Sequence, residues 1–223
     1  MDLTGNLAES GQSGAPTDLK PLQTRPIKDI HHVSVNPETV SDRERVELLR
    51  HFDESTRRHD DAIQQVNANM HEKHRTVLIA NSEGLMVEDS RDYARMRLSA
   101  IAEKGDGPQS ASESPGVLGG YEFFRNINVD KLSEEAAHSA LRMADAGYID
   151  GGAMPVVLGS GFGGVIFHEA CGHPLETEAI RKNASPFCGK IGEEVARPIL
   201  TAVDDGTLAQ YWGSLNIDDE GQP

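Results

Sequence analysis

The sequence has few cysteines, no long apolar run and no recognisable targeting segment. Only Cys171 and Cys188 occur in 223 residues, which argues against a disulfide-stapled fold. No stretch approaches the roughly 20 consecutive apolar residues of a membrane-spanning helix. The first 20 residues contain neither the basic nor the apolar segment of a secretion signal. We therefore expect a cytoplasmic protein that makes no membrane contact.

Basic residues are also scarce relative to acidic ones. The 21 Lys and Arg face 36 Asp and Glu, a formal net charge of -15. A field of this sign repels the phosphate backbone of nucleic acids, so we expect no direct nucleic-acid binding. The length is sufficient for the buried core of one large domain or two small ones.

The first quarter of the chain changes character near Ser41. Residues 1–24 are rich in Gly, Ser, Pro, Thr and Asp without any hydrophobic period, which predicts a disordered tail. From Ser41, a capping box with Glu44 precedes apolar residues at helical spacing as far as Val66. This pattern predicts one long amphipathic helix or two short ones.

Strand patterns follow this helical region. Residues 76–80 and 85–88 flank the turn-prone residues 81–84 and predict a β-hairpin. Alternation over residues 93–101 predicts a third antiparallel strand. The dense Gly, Pro and Ser of residues 105–120 predict a long surface loop. Residues 132–146 predict a helix, with Ser133 as N-cap and Gly147 just beyond its end.

A glycine-rich turn begins the second half. Met154–Leu158 predicts a short apolar strand, and the glycines at 159, 161 and 164 formally match G-x-G-x-x-G. At this glycine content roughly 0.2 matches arise by chance, so the dinucleotide interpretation has little support. A second parallel strand with an acidic ribose ligand is also not apparent. We favour a tight strand-to-helix turn.

The most informative motif is the H-E-x-x-x-H formed by His168, Glu169 and His173. Imidazoles bind zinc, and an adjacent glutamate can take a proton from water activated by the metal. Histidines five residues apart lie about 140° apart on a regular α-helix. Gly172 and Pro174 can disturb the helix, so we predict a π-bulge or kink at residues 170–174. The alternative is two ordinary polar positions on a helix.

Two further carboxylates follow the second histidine. Glu176 or Glu178 could orient a ligand imidazole, although the sequence pattern favours a solvated helix face for both.

Several ordered blocks together resemble the TldD/PmbA family of metallopeptidases. They comprise residues 157–176, 187–195, 203–207 and 213–221. The resemblance implies a zinc-dependent peptidase subunit that hydrolyses unfolded or extended peptides and forms a homo- or heterodimer with a related subunit. It places His168 and His173 on the metal ligands and Glu169 on the catalytic base.

Family members are longer at both ends, and the resemblance assigns their third ligand to a cysteine that would lie beyond Pro223. Cys171 and Cys188 do not match that position. We therefore expect a fragment. The alternative function is a non-catalytic truncated scaffold or partner-binding fragment with an incomplete metal site.

The expected fold class is α+β. Residues 25–150 form a middle domain of helices packed on an antiparallel sheet. Residues 151–223 form the start of a β-rich second domain that carries the metal-binding helix.

Overall fold

The computed structural model describes residues 20–105, 107–161 and 163–223. They divide into two compact units. The first contains residues 20–147 together with 205–223, and the second is Tyr148–Asp204. The C-terminal stretch 205–223 therefore packs with the first half of the chain, although we place it in the second domain by sequence. Of the disordered tail predicted over residues 1–24, residues 1–19 lie outside the described residues. The prediction is wrong for its end, because Gln23 and Thr24 form a short strand paired with Leu85 and Met86.

The first unit is a mixed sheet covered by helices, which confirms the α+β class. Its longest strand, β3, is central: β2 pairs antiparallel with it, and β1, β4 and β5 also pair with it, β1 in parallel. The strands are β1 (Gln23–Thr24), β2 (Ile63–Ala80), β3 (Leu85–Lys104), β4 (Gly107–Glu113) and β5 (Gly116–Leu118). The helices are α1 (Asp42–Arg57), α2 (Glu122–Asn126) and α3 (Val129–Asp145), and a 3₁₀ turn spans Pro37–Thr39.

The first long helix is shorter than the sequence pattern predicts. Ser41 caps α1, since its Oγ accepts a hydrogen bond from the Glu44 N–H at 3.3 Å. The helix ends at Arg57, and the prediction that it continues to Val66 is wrong. The Asp60 carboxylate accepts from the Ala62 N–H at 2.8 Å in a tight turn. Ile63 then enters β2, where ladder hydrogen bonds to β3 replace helical ones.

The hairpin is confirmed, with longer strands than expected. Asn81 Oδ1 accepts from the N–H groups of Glu83 and Leu85, each at 3.1 Å, and Gly84 supplies a φ of +91°. The separate third strand over 93–101 is wrong, because these residues continue β3 without interruption.

The predicted loop over 105–120 is also wrong in large part, because it contains β4 and β5. These strands pair with β3 at Leu98–Lys104 and Tyr93–Arg95 respectively. The small polar residues of β4 have a weak preference for strands. The backbone N–H and C=O groups along β3 nevertheless pair with those of β4, and this pairing satisfies the hydrogen-bonding groups of both strands.

The central strand buries opposite faces at its two ends. Val87, Asp89 and Arg91 are buried near the start of β3, whereas alternate residues from Ala94 to Ala102 are buried toward its end. The pairing with β2 has no register shift from Val87 to Ile101, so the two sets project from opposite faces. Asn216 and Ile217 contact the first set.

The helices cover the other set and form the main core. α1 and α3 pack on the sheet and on each other, and α3 confirms the helix predicted over 132–146. Asn128 caps α3 by accepting from the Lys131 N–H at 3.0 Å, so the prediction of Ser133 as N-cap is wrong; Ser133 is buried inside the helix. The largest fully buried apolar side chains of this core are those of Phe52, Met96, Leu98, Tyr121 and Phe124.

The second unit has helical segments and no strand among its described residues, although we expect a β-rich domain here from the sequence. The segments are α4 (Gly164–Phe167), a π-helical turn (His168–Gly172), α5 (His173–Leu175) and α6 (Thr177–Arg181). The strand predicted at Met154–Leu158 is not formed. The side chains of this segment are exposed, Val157 almost completely. In the described part of the chain, no neighbouring strand or sheet packs against them to stabilise an extended conformation. Within the described residues, no helix combines the length and apolarity needed to cross a membrane.

Candidate metal site

The site begins at the predicted glycine turn. Gly161 has a φ of +83°, and the Gly164 N–H donates to the Gly161 carbonyl at 2.9 Å. A Cβ atom at Gly163 would collide with the Gly159 carbonyl oxygen. Two of these positions therefore require glycine for backbone conformation or close approach, as the tight-turn interpretation predicts.

The helix that follows contains the predicted distortion. Residues 168–172 form a π turn, in which the His173 N–H donates to the His168 carbonyl five residues earlier. The predicted bulge is thus confirmed, two residues earlier than expected. The added residue in the turn brings side chains five apart toward the same side of the helix, where a regular α-helix would separate them.

The π turn places the three motif side chains together. One potential ligand atom from each of His168, Glu169 and His173 lies within 4.8 Å of the others. The two imidazole rings meet edge to face with centroids 4.4 Å apart. His173 Nε2 lies 3.8 Å from Glu169 Oε2. Two imidazoles and a carboxylate are a donor set that fits a divalent transition-metal ion.

Glu176 joins this cluster through His173. Its Oε1 lies 2.6 Å from His173 Nδ1, and this hydrogen bond raises the pKa of the His173 imidazole above its ordinary value. Glu178 instead pairs with Lys182 Nζ at 2.5 Å. Both carboxylates are exposed, as expected of a solvated face, and Glu176 in addition makes the imidazole contact that was the alternative. Its i, i+3 spacing from the histidine is the sequence signal that could have singled it out.

The site is exposed, as is the unit that carries it. His168, Glu169 and His173 are all exposed, and no described residue of 148–204 is buried. Cys171 and Cys188 are free thiols. Neither is part of the three-residue cluster.

Comparison with protein families identifies the class. Residues 35–144 match the PmbA/TldA metallopeptidase central domain, and residues 151–223 match the PmbA/TldA metallopeptidase C-terminal domain. Most of the chain is therefore matched by two consecutive domains of one family. The chain belongs to the TldD/PmbA metallopeptidase family.

Curated relatives agree with this assignment. The chain is 38% identical over 198 residues to the metalloprotease TldD homolog of Haemophilus influenzae, covering 86% of this chain and 41% of that protein. It is 36% identical over 212 residues to the metalloprotease TldD homolog of Buchnera aphidicola subsp. Acyrthosiphon pisum, covering 92% and 44%. The chain spans less than half the length of these relatives.

Solved structures support the fold. A protein of Thermotoga maritima MSB8 described as a candidate modulator of DNA gyrase superposes with a TM-score of 0.72 at 21% identity, covering 92% of this chain and 46% of that one. A similarly described protein of Bacteroides thetaiotaomicron gives 0.71 at 16% identity, covering 94% and 46%. At these identities the likeness concerns the fold.

Proposed function

We propose that this chain carries the metal-binding helix of a zinc-dependent metallopeptidase. The observation that carries the proposal is the π turn, which gathers His168, Glu169 and His173 into one cluster in a chain that belongs to a metallopeptidase family. In this proposal the two imidazoles hold the metal, and Glu169 is the catalytic base.

The chain's own residues have distinct tasks in peptide hydrolysis. Bound zinc supplies Lewis acidity, which lowers the pKa of water and polarises the scissile carbonyl. Glu169 takes the proton from the attacking water and delivers it to the leaving amine as the carbon–nitrogen bond breaks. The water oxygen ends in the new carboxyl group. Glu169 suits this task because its carboxylate is 3.8 Å from the His173 imidazole and is exposed.

Two imidazoles are fewer than the three protein ligands of most catalytic zinc sites. The family resemblance assigns the third ligand to a cysteine that has no counterpart among the 223 residues. In this proposal the two imidazoles are therefore part of the ligand set.

We extend the proposal to substrate, partner and location on the basis of family membership. The substrates are unfolded or extended peptides, the partner is a related family subunit or a second copy, and the location is the cytoplasm. The open site, in which all three motif residues are exposed, is compatible with an extended main chain.

The test is the Glu169→Gln variant of the full chain, assayed for peptide cleavage and, by elemental analysis, for zinc. We expect cleavage to fall by about 10²–10⁴-fold or more while the zinc content is unchanged, because the amide cannot accept the proton. His173→Ala should lose both zinc and cleavage, and Glu178→Gln should keep both.

Retained cleavage in Glu169→Gln would overturn the mechanism. A wild-type chain that binds no zinc would overturn the peptidase proposal for this chain and favour the non-catalytic scaffold.

A further inference from the structure

We propose that Glu176 is a positioning residue, which holds the Nδ1 side of the His173 ring so that Nε2 points to the metal. This inference rests on the proposed metal site and deepens it. It concerns a residue outside the H-E-x-x-x-H motif.

The backbone breaks where Glu176 lies. α5 ends at Leu175 and α6 begins at Thr177, and Glu176 between them has an extended ψ of 139°. Its N–H donates to the His173 carbonyl at 3.2 Å. The main chain of Glu176 is thus bound to the same residue that its side chain contacts.

The hydrogen bond between Glu176 and His173 defines which nitrogen of the His173 ring can bind a metal. A carboxylate can only accept hydrogen bonds, so His173 Nδ1 must donate across the 2.6 Å separation from Glu176 Oε1. In the neutral ring the lone pair is then on Nε2. This nitrogen lies on the side of Glu169, 3.8 Å from its Oε2. The arrangement presents His173 as an Nε2 ligand before any metal binds.

The neighbouring Glu178 shows that proximity in sequence alone does not create this contact. Glu178 is two residues further on, and its carboxylate pairs with Lys182 within α6. Both glutamates are largely exposed, with side-chain exposures of 59% and 67%. Glu178 is therefore a matched control of the same residue type, charge and exposure.

The expected effect concerns metal binding rather than folding. Metal-ligating histidines commonly donate their second ring N–H to a carboxylate, and loss of that partner weakens metal affinity by about 10–100-fold. An exposed ion pair, by contrast, adds little to the free energy of unfolding. Since His173 is itself about half exposed, removal of Glu176 should leave the fold intact.

The first measurement is the tautomer of His173 in the metal-free full chain, read from nitrogen chemical shifts by NMR at a pH where the ring is neutral. The His173→Ala spectrum assigns the signal. We expect the Nδ1–H form in the wild type and in Glu178→Ala, and a shift toward the Nε2–H form in Glu176→Ala.

The second measurement is zinc affinity, by competition with a chromogenic chelator. Glu176→Ala should bind zinc about 10–100-fold more weakly, and Glu178→Ala should match the wild type. Glu176→Gln keeps an acceptor without the charge, so its affinity should lie between those of Glu176→Ala and the wild type.

An Nε2–H tautomer in the wild type, or equal zinc affinities in the wild type and Glu176→Ala, would overturn the positioning role. So would the absence of zinc binding by the wild type. Neither measurement uses cleavage. A chain that binds zinc through an oriented His173 yet cleaves no peptide would contradict the proposed function alone.

Discussion

The two units of this chain differ in what maintains their structure. The unit formed by residues 20–147 and 205–223 buries aromatic and aliphatic side chains between helices and a sheet. Tyr148–Asp204 has no buried residue among those described, and it exposes large apolar side chains. Five of the most exposed are Tyr148, Val157, Ile191, Ile199 and Val203.

The difference teaches that, in the described residues, the candidate metal site is ordered by features of its own backbone. Its geometry comes from local backbone features: a positive φ at Gly161, the π hydrogen bond from His173 to His168, and the break at Glu176. In the first unit, burial stabilises the fold. In the second, short-range hydrogen bonds order the residues of the candidate site.

The largest expected effect tests where the burial energy lies. Phe52 is fully buried in the first unit, whereas Phe167 in the second unit is 40% exposed. Phe52→Ala should lower the free energy of unfolding by about 3–5 kcal/mol, because it leaves a cavity. Phe167→Ala should lower it by less than about 1 kcal/mol. Urea denaturation followed by circular dichroism measures both, and equal losses would contradict the contrast.

A smaller effect is expected from ion pairs. Arg91 Nε donates to Asp89 Oδ2 at 2.6 Å with both side chains buried, and Asn216 donates to the other oxygen at 2.9 Å. Asp89→Ala leaves the guanidinium buried without its counter-charge, which should cost about 3 kcal/mol.

The control is the exposed pair of Lys190 and Glu193 in the second unit, 2.7 Å apart. Glu193→Ala should change the free energy of unfolding by less than about 0.5 kcal/mol. Urea denaturation followed by circular dichroism measures the loss of stability in both variants. A loss for Asp89→Ala as small as that for Glu193→Ala would show that the Asp89–Arg91 pair is not held in a desolvated environment.

Glycine substitutions should give a still smaller difference. Gly84 has a φ of +91°, and a Cβ there would lie 2.7 Å from the Pro21 carbonyl oxygen. Gly84→Ala should therefore cost about 1–2 kcal/mol. At Gly152 in the second unit a Cβ would meet nothing within 4 Å, so Gly152→Ala should be within about 0.5 kcal/mol of the wild type. Thermal unfolding compares the two, and a neutral Gly84→Ala would contradict the assigned turn.

The subtlest prediction concerns pH. His31 is buried in the first unit, and its Nδ1 accepts a hydrogen bond from the Gln210 N–H at 3.1 Å. Desolvation lowers the pKa of the His31 imidazole, and Arg91 lowers it further. Asp29 and Asp89 raise this pKa but do not outweigh the desolvation. The unfolded chain then binds a proton more readily than the folded chain. This contribution to stability is present above the ordinary pKa of about 6.5 and is lost as the pH falls below it.

Urea denaturation at a series of pH values tests this dependence. The loss of stability between neutral and mildly acidic pH should be smaller in His31→Gln than in the wild type, because glutamine does not titrate. Identical slopes for the two proteins would show that His31 takes up its proton equally well in both states.

Several elements were predictable because neighbours in sequence determine them. Ser41 at the start of α1, the Asn81–Gly84 turn and the helix over α3 depend on caps, turn residues and helical periodicity. The motif of His168, Glu169 and His173 was evident for the same reason. Its distortion could be predicted as well, because a five-residue spacing beside Gly172 and Pro174 is incompatible with two ligands on a regular helix.

Other features could not be predicted because they depend on partners distant in sequence. Residues 107–113 have the composition of a loop and become a strand only because Leu98–Lys104 offers an unpaired edge. Met154–Leu158 has the composition of a strand and lacks a partner in its described surroundings. The contact of Glu176 with His173 could be suspected from their three-residue spacing, but it forms at a backbone break that the composition of residues 173–178 does not indicate.

The sequence by itself therefore determined the identity of the motif residues, the local helix distortion and the family resemblance. Each of these depends on residue type and short spacing. The tertiary structure decided which strands pair, which face of β3 is buried at each end, and where residues 205–223 pack. The physical reason is that strand pairing and burial satisfy backbone groups and apolar surfaces through contacts between residues far apart along the chain.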